Sequence, residues 1–237
     1  MKILAIDTTA KTASAALTEN EKLIALTTLN TPNTHSVTRL PMINGLLEGA
    51  SLTAKDIDLL VCSAGPGSFT GVRIGTSAIK GLAYADNKAC VGVSSLEALA
   101  LNVTENGIVC PVMDARRNQL YNALFKCENG KLTRLTPDRV LSADELKAEL
   151  ENEADRIFIT GDGSDIACKV LKGLDVRLPH EVLRYHNAYN VALLGYKTYE
   201  SATEKERNSF TAEKLAPTYL RMSQAERERL EREGKTK

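Results

Sequence analysis

The chain has 237 residues, 43% hydrophobic and 25% charged, the make-up of a soluble globular protein with room for one large domain or two compact lobes. Its 30 basic residues balance 30 acidic ones. That balance removes the electrostatic case for autonomous nucleic-acid binding, which relies on cationic side chains displacing counterions from phosphates. Residues 1–7 reach an acid too early for a secretory signal, and no apolar run approaches the ~20 residues that span a bilayer, so a cytoplasmic protein without membrane contact is expected.

In chain order, residues 2–8 predict a strand that ends on Asp7, Thr8 and Thr9, and 13–18 and 22–29 predict two more, together an antiparallel meander. A helix follows over about 34–50, interrupted by Pro41 and Gly45, then a strand over 58–64, a glycine-rich turn and a helix over 70–85. Residues 89–93 read as a strand and 94–101 as a helix capped by its serines. From Gly107 the pattern restarts: a strand over 108–114 ends in Asp114, and 120–125 returns as a strand. Residues 131–140 are strand-like, 142–150 helical, 156–160 a strand before Gly161-Asp162-Gly163, and 190–199 helical. The tail over 224–237 alternates Glu and Arg and reads as a solvated, salt-bridged helix. Strands followed by helices indicate an α/β protein, divided here into lobes at 1–105 and 106–220 with a charged C-terminal segment at 221–237.

The turn reads Gly65-Pro66-Gly67-Ser68-Phe69-Thr70-Gly71-Val72-Arg73-Ile74-Gly75. Its glycines permit positive φ and close backbone approach, and a following helix offers unpaired N–H groups at its positive end, so the segment can hold an anion. The spacing fits neither common phosphate loop: a dinucleotide fingerprint counted from Gly65 needs glycine where Thr70 stands, and no Gly-Lys-Ser/Thr occurs. Ser68 is not a hydrolase-elbow serine, because position 70 is not glycine. Candidate nucleotide contacts are Asp7, Thr8, Thr9, Gly65, Gly67, Ser68 and Gly71, set against the plainer reading of a strand-to-helix turn.

Metal and thiol chemistry have little to build on. His180-Glu181 begins a zinc-protease pattern, but Arg184 occupies the second ligand position. The five cysteines are odd in number, widely spaced and set mostly in apolar stretches, which favours buried reduced thiols.

Charge is uneven: 17 charged residues fall in 1–105 and 43 in the rest. The two helices flanking the glycine turn are the poorest, with only Arg39 and Glu48 in the first and Arg73 and Lys80 in the second. A surface helix normally carries a charged outer face, and interface cores are poor in charge, so these two are read as a docking surface. The candidate interface residues are Val37, Leu40, Ile43, Leu46 and Leu47 on the first and Val72, Ile74, Ala78 and Leu82 on the second.

Ile6-Asp7-Thr8-Thr9, the glycine turn, Met113-Asp114-Ala115-Arg116-Arg117 and Tyr219-Leu220-Arg221-Met222-Ser223-Gln224-Ala225-Glu226 together resemble the TsaB family of bacterial threonylcarbamoyladenosine-pathway proteins over nearly the whole chain. The resemblance implies an actin-like ATPase (ASKHA) fold of two related lobes, each a mixed sheet with flanking helices. It also implies a non-catalytic subunit that stabilises the catalytic paralogue TsaD and acts with the ATPase TsaE. Together these transfer a threonylcarbamoyl group to N6 of adenosine 37 in tRNAs reading codons that begin with A. In the paralogue a Val-His-His-Met-Glu-Gly-His stretch supplies two metal-binding histidines one helical turn apart. The matching stretch here is Val93-Ser94-Ser95-Leu96-Glu97-Ala98-Leu99, so Ser95 and Leu99 stand at the ligand positions.

The resemblance thus implies no catalytic residues, no metal, and no cofactor required by this subunit, with ATP or ADP binding confined to the turn residues named above. It implies a heterodimer with TsaD, a homodimer when alone, and tRNA contact only through the complex. The alternatives are a stand-alone metallopeptidase or a small-molecule kinase of the same superfold, neither with a ligand pair, nucleophile or second phosphate loop to support it.

Overall fold

The computed structural model describes residues 1–31 and 35–222, without the side chains of 35–39, and Arg229 and Arg232 singly. The first sheet joins β1 (Lys2–Asp7), β2 (Ala13–Glu19), β3 (Lys22–Leu29), β4 (Leu59–Gly65) and β5 (Ala89–Ser94) in the order β3-β2-β1-β4-β5. β1 pairs antiparallel with β2 and parallel with β4. β1 and β4 are apolar at nearly every position because both faces of the sheet are covered.

Side chains alternate across the pleat, and each face has its own helices. Leu4, Ile6, Leu60 and Cys62 meet Met42, Ile43, Leu46 and Leu47 of α1 (His35–Gly49) and Ile79 and Ala83 of α2 (Phe69–Asp86). Ile3, Ala5, Leu59 and Val61 turn the other way, onto Val191 and Ala192 of a helix from the far end of the chain.

The second, seven-stranded sheet repeats this plan. It contains β6 (Gly107–Asp114), β7 (Gln119–Asn122), β8 (Phe125–Glu128), β9 (Lys131–Arg134), β10 (Arg139–Ser142), β11 (Ile157–Thr160) and β12 (Val176–Arg177). Its main path runs β10-β7-β6-β11-β12, with β8 on β6 and β9 on β8. Ile108, Cys110 and Val112 pack under Leu146 and Leu150 of α4 (Ala143–Leu150) and Ala167 of α5 (Ser164–Val170). Val109 and Met113 face Leu96, Leu99 and Ala100 of α3 (Ser95–Ala100).

The expected strand over 131–140 is two strands. Pro137 has no N–H to give a ladder, and Leu135 N and Thr136 N both donate to the Leu124 carbonyl, at 2.8 and 3.2 Å, which ends β9. The expected 120–125 strand also divides, between β7 and β8. The short elements α5, β12 and α7 (Glu204–Arg207) have too few residues to show a period in sequence.

The expected lobe boundary needs correction. α6 (Ala188–Ser201) lies in the stretch assigned to the second lobe, yet it covers the open face of the first sheet, so that sheet takes helices from both ends of the chain. α6 crosses α3, and Asn190 ties them by donating to the Ala98 carbonyl at 3.0 Å and to Asn102 Oδ1 at 2.7 Å. Residues beyond α6 stay with the first lobe: Cys90 N donates to the Phe210 carbonyl at 3.0 Å, and Thr218 N to the Ala64 carbonyl at 2.7 Å. Most of the tail assigned to 221–237 lies outside the described residues.

Candidate functional site

Asp7 ends β1 beneath the turn to β2 and is 1% exposed. Its Oδ1 accepts from Thr9 N at 2.8 Å and Thr9 Oγ1 at 2.7 Å, which closes the turn locally. Its Oδ2 accepts from Ser63 Oγ at 2.5 Å and lies 3.0 Å from Nδ1 of His186, itself 2% exposed. Burial alone would raise the Asp7 carboxyl, but the charge and hydrogen bond of His186, with those of Ser63 and Thr9, hold it at about 2. Burial works against a charged His186, and the Asp7 carboxylate, its hydrogen bond and Asp162 outweigh it, lifting the imidazole above its ordinary range. Each group's shift favours the charged form of the other, so the arrangement favours an ion pair.

The glycine turn is shaped to fit this hub. A Cβ on Gly71 would overlap the Thr8 carbonyl, and one on Gly65, at φ +120°, would overlap the Thr218 carbonyl. Thr8 Oγ1 donates to the Gly71 carbonyl at 2.7 Å, Ser68 N donates to the Thr9 carbonyl at 2.7 Å, and Ser68 Oγ caps α2 by accepting from Gly71 N at 3.3 Å. Asp7, Thr8, Thr9, Gly65, Gly67, Ser68 and Gly71 are thus brought together. Their contacts run chiefly to one another, and the turn seats α2 on the first sheet.

Asp114 repeats the geometry of Asp7 at the end of β6. Its Oδ1 accepts from Arg116 N at 2.7 Å, two residues on, and Arg116, Arg117 and Asn118 follow at φ of 65°, 55° and 58°. A left-handed arginine costs roughly 1–2 kcal/mol, so this hairpin is held by its surroundings. An Arg221 guanidinium N–H donates to the Ala115 carbonyl, and Asp114 N donates to Asp162 Oδ1 at 3.2 Å.

Between the glycine turn and this hairpin opens a cleft of about 730 Å3, bordered by Thr9, Lys11, Phe69, Arg73, Asp114 and Tyr219. Tyr219 stacks on Phe69 with ring centroids 4.5 Å apart, the Arg73 guanidinium lies 4.0 Å from the Phe69 centroid, and Arg73 Nε donates to Tyr219 Oη at 2.8 Å. The segment 218–221 therefore runs from the first lobe across to the second along the cleft.

Several expected interface residues prove to be core. Ile43, Leu46, Leu47 and Val72 are buried, because their helical spacing points them at the sheet. Leu40 is 49% exposed, and Ile74, Ala78 and Leu82 are half-buried on the flank of α2. Val37 lies outside the described side chains. The outward face of α2 holds Thr70, Arg73, Ser77, Gly81, Ala85 and Tyr84, the last 80% exposed, so one cation is its only charge before Asp86.

At the positions of the expected lost ligand pair, Ser95 and Leu99 are both buried, and Leu99 packs with Met113 and Phe125. Among the described residues no group of three or more His, Cys, Asp or Glu is placed to hold a metal ion. All five cysteines are free thiols, four of them buried, and burial pushes Cys110 up to about 12. No helix among the described residues is long and apolar enough to cross a membrane.

Sequence reasoning missed His186 and Ser63, and it marked Arg73 only as a charge of the turn and its helix. A histidine 179 positions from Asp7 leaves no local trace, whereas Tyr219 and Arg221 stand in the C-terminal motif already singled out.

The chain matches the family described as "TsaD: tRNA N6-adenosine threonylcarbamoyltransferase" over residues 30–229. It is 34% identical to the tRNA threonylcarbamoyladenosine biosynthesis protein TsaB of Bacillus subtilis, covering 95% of this chain and 96% of the relative. Among solved structures, YeaZ from Pseudomonas aeruginosa superposes with a TM-score of 0.77 at 25% identity, covering 92% of this chain and 99% of that one. The Clostridium difficile activator of 2-hydroxyisocaproyl-CoA dehydratase shares the actin-like fold alone, with a TM-score of 0.50 at 12% identity over 87% and 98% of the two chains. The two lobes, the repeated strand-end aspartates and these likenesses make this chain a member of the TsaB family, within the wider TsaD group of actin-like ATPase folds.

Proposed function

We propose that this chain is the non-catalytic subunit that docks on TsaD and supports threonylcarbamoyl transfer to N6 of adenosine 37 in tRNAs reading codons that begin with A, with TsaE as the third component. The carrying observation is the outward face of α2, where Thr70, Ser77, Gly81 and Ala85 are small, exposed and uncharged. Small residues let a second helix approach closely, and desolvating them costs little compared with a lysine or glutamate. We assign the heterodimer contact to this face together with Leu40, Ile74, Ala78 and Leu82, and a homodimer of the isolated chain to the same face.

The non-catalytic reading draws on positions 95 and 99, where a buried serine and a core leucine offer no imidazole. Asp7 supports it too, since both its oxygens are engaged within the chain, which favours a structural role for the turn residues over ATP or ADP binding. We assign no cofactor to this subunit, place tRNA contact in the assembled complex, and locate the complex in the cytoplasm.

Mixing purified chain with TsaD, TsaE, tRNA and threonylcarbamoyl adenylate tests the reading. A defined complex with TsaD and faster modification are expected. No complex and no stimulation would overturn it.

A further inference from the structure

A second cavity, of about 540 Å3, shares Ala10, Lys11 and Asp162 with the first. Its wall combines Thr12 with the 181–186 segment and Asp165. Three lining residues each carry a buried polar atom with no hydrogen-bond partner among the described residues: Thr12 Oγ1, Arg184 Nε and His186 Nε2. Thr12 and His186 are each only 2% exposed. Buried donors are almost always paired, and the two other orphans among the described residues, Thr18 and Ser95, are single hydroxyls away from this wall.

The segment bearing these donors is fixed from several sides. Thr160 Oγ1 donates to the Leu183 carbonyl at 3.0 Å, Asn102 Nδ2 to the Tyr185 carbonyl at 2.8 Å, and Ala188 N to Ser14 Oγ at 3.0 Å. His186 is oriented through Nδ1 by Asp7, so Nε2 is left for another partner. An arginine N–H, a threonine hydroxyl and an oriented imidazole make a donor set for an oxyanion.

Charge decides which oxyanion. Lys11, Arg184 and His186 are matched on the same wall by Asp162, Asp165 and Glu181. Glu181 accepts from Tyr185 Oη at 2.9 Å and Asp162 from Asp114 N at 3.2 Å, and each keeps a further carboxylate oxygen for a ligand. A phosphate dianion would meet three carboxylates, whereas a ligand with one charge of each sign meets both halves of the wall. The volume lies in the range of small-ligand pockets and exceeds what a lone carboxylate fills. We propose that this cavity binds a small zwitterionic carboxylate of the amino-acid class, its carboxylate on Thr12, Arg184 and His186 and its cationic end toward Asp162, Asp165 and Glu181.

The test is titration of the full-length chain with L-alanine, acetate and inorganic phosphate, following the His186 imidazole by NMR, where its signals compete with only two other histidines. A saturable shift with L-alanine is expected, with acetate at least about tenfold weaker and phosphate weaker still. Thr12→Val and Arg184→Met should each abolish it. Thr12→Val removes only an unpartnered hydroxyl and so keeps the fold, which leaves the test intact even if Arg184→Met does not fold. No saturable shift with any probe, tightest binding by phosphate, or an undiminished response in Thr12→Val would overturn the proposal.

Discussion

His186 stands 179 positions from Asp7, yet its Nδ1 lies 3.0 Å from Asp7 Oδ2 in the middle of the protein. The pair joins the end of the first strand to the segment that leads into α6, and it sets the pH dependence of the fold. Asp7 contributes stability that is complete above its ordinary value of 3.8 and is lost as pH falls toward about 2. His186 contributes stability that is complete below its ordinary value of 6.5 and is lost as pH rises through its raised value. Urea midpoints should therefore plateau between these limits and fall on the alkaline side. His186→Asn retains an amide donor near the Nδ1 position but cannot be charged, so it should flatten the alkaline decline; an unchanged slope would place the titration elsewhere.

Removing the partner outright has a larger effect. His186→Leu leaves a buried carboxylate without its cation, and such losses cost about 3–5 kcal/mol. Chemical denaturation at neutral pH measures the difference, and a loss below 1 kcal/mol, on the order of a surface ion pair, would mean the charge is screened by something else.

Two glycines of α2 should respond in opposite directions to the same change. Gly71→Ala drives a Cβ into the Thr8 backbone and should cost about 1–3 kcal/mol, as overpacking does. Gly81→Ala meets open space in a helix interior and should gain about 0.5–1 kcal/mol. Thermal melts of the two variants decide the matter.

The proposed docking face makes a similar contrast. Ser77→Glu, on the outward side of α2, should leave the melting temperature unchanged and weaken the TsaD complex by tenfold or more, about 1.4 kcal/mol. Val72→Asp buries a carboxylate in the core and should unfold the chain before any complex is tested. Titration calorimetry on Ser77→Glu showing unchanged affinity would move the interface off this face.

Tyr219→Ala removes a stack on Phe69 and a hydrogen bond from Arg73, together about 1–2 kcal/mol. Hydrogen exchange should then quicken at residues 115–119, because Arg221 loses its fixed approach to the Ala115 carbonyl. Protection unchanged there would show that the hairpin holds its left-handed residues unaided.

Local periodicity made the first lobe legible. β1, β2 and β3 fall within a residue or two of their expected ends, and α2 begins one residue before its expected start, since Ser68 is its cap. Where a strand lapses for a few residues and then resumes in the same direction, as between Asn122 and Phe125, both sides antiparallel to β6, or around Pro137 between β9 and β10, alternation alone merged the pieces into one strand. Direction was the harder quantity. The spacing of Ile43, Leu46 and Leu47 announces an apolar face, and the same spacing serves a core or a partner, so only the sheet beneath α1 settles which. The Asp7 site was half-visible for a related reason: the acid at a strand end and the glycines beside it are local, whereas Ser63 and His186 reach it through the tertiary fold.

The crossing of α6 onto the first sheet fixes an order of events during synthesis. Gly195 sits so close to Val61 that a Cβ there would strike its side chain, and Val191 and Ala192 seal Ile3, Val91 and Val93. Until residues 188–201 leave the ribosome, that face of the sheet is wet and sticky, although all five of its strands were made about a hundred residues earlier. The nascent first lobe thus keeps an apolar face open until its last covering helix arrives, and a chain cut before residue 188 should aggregate rather than fold as an independent half.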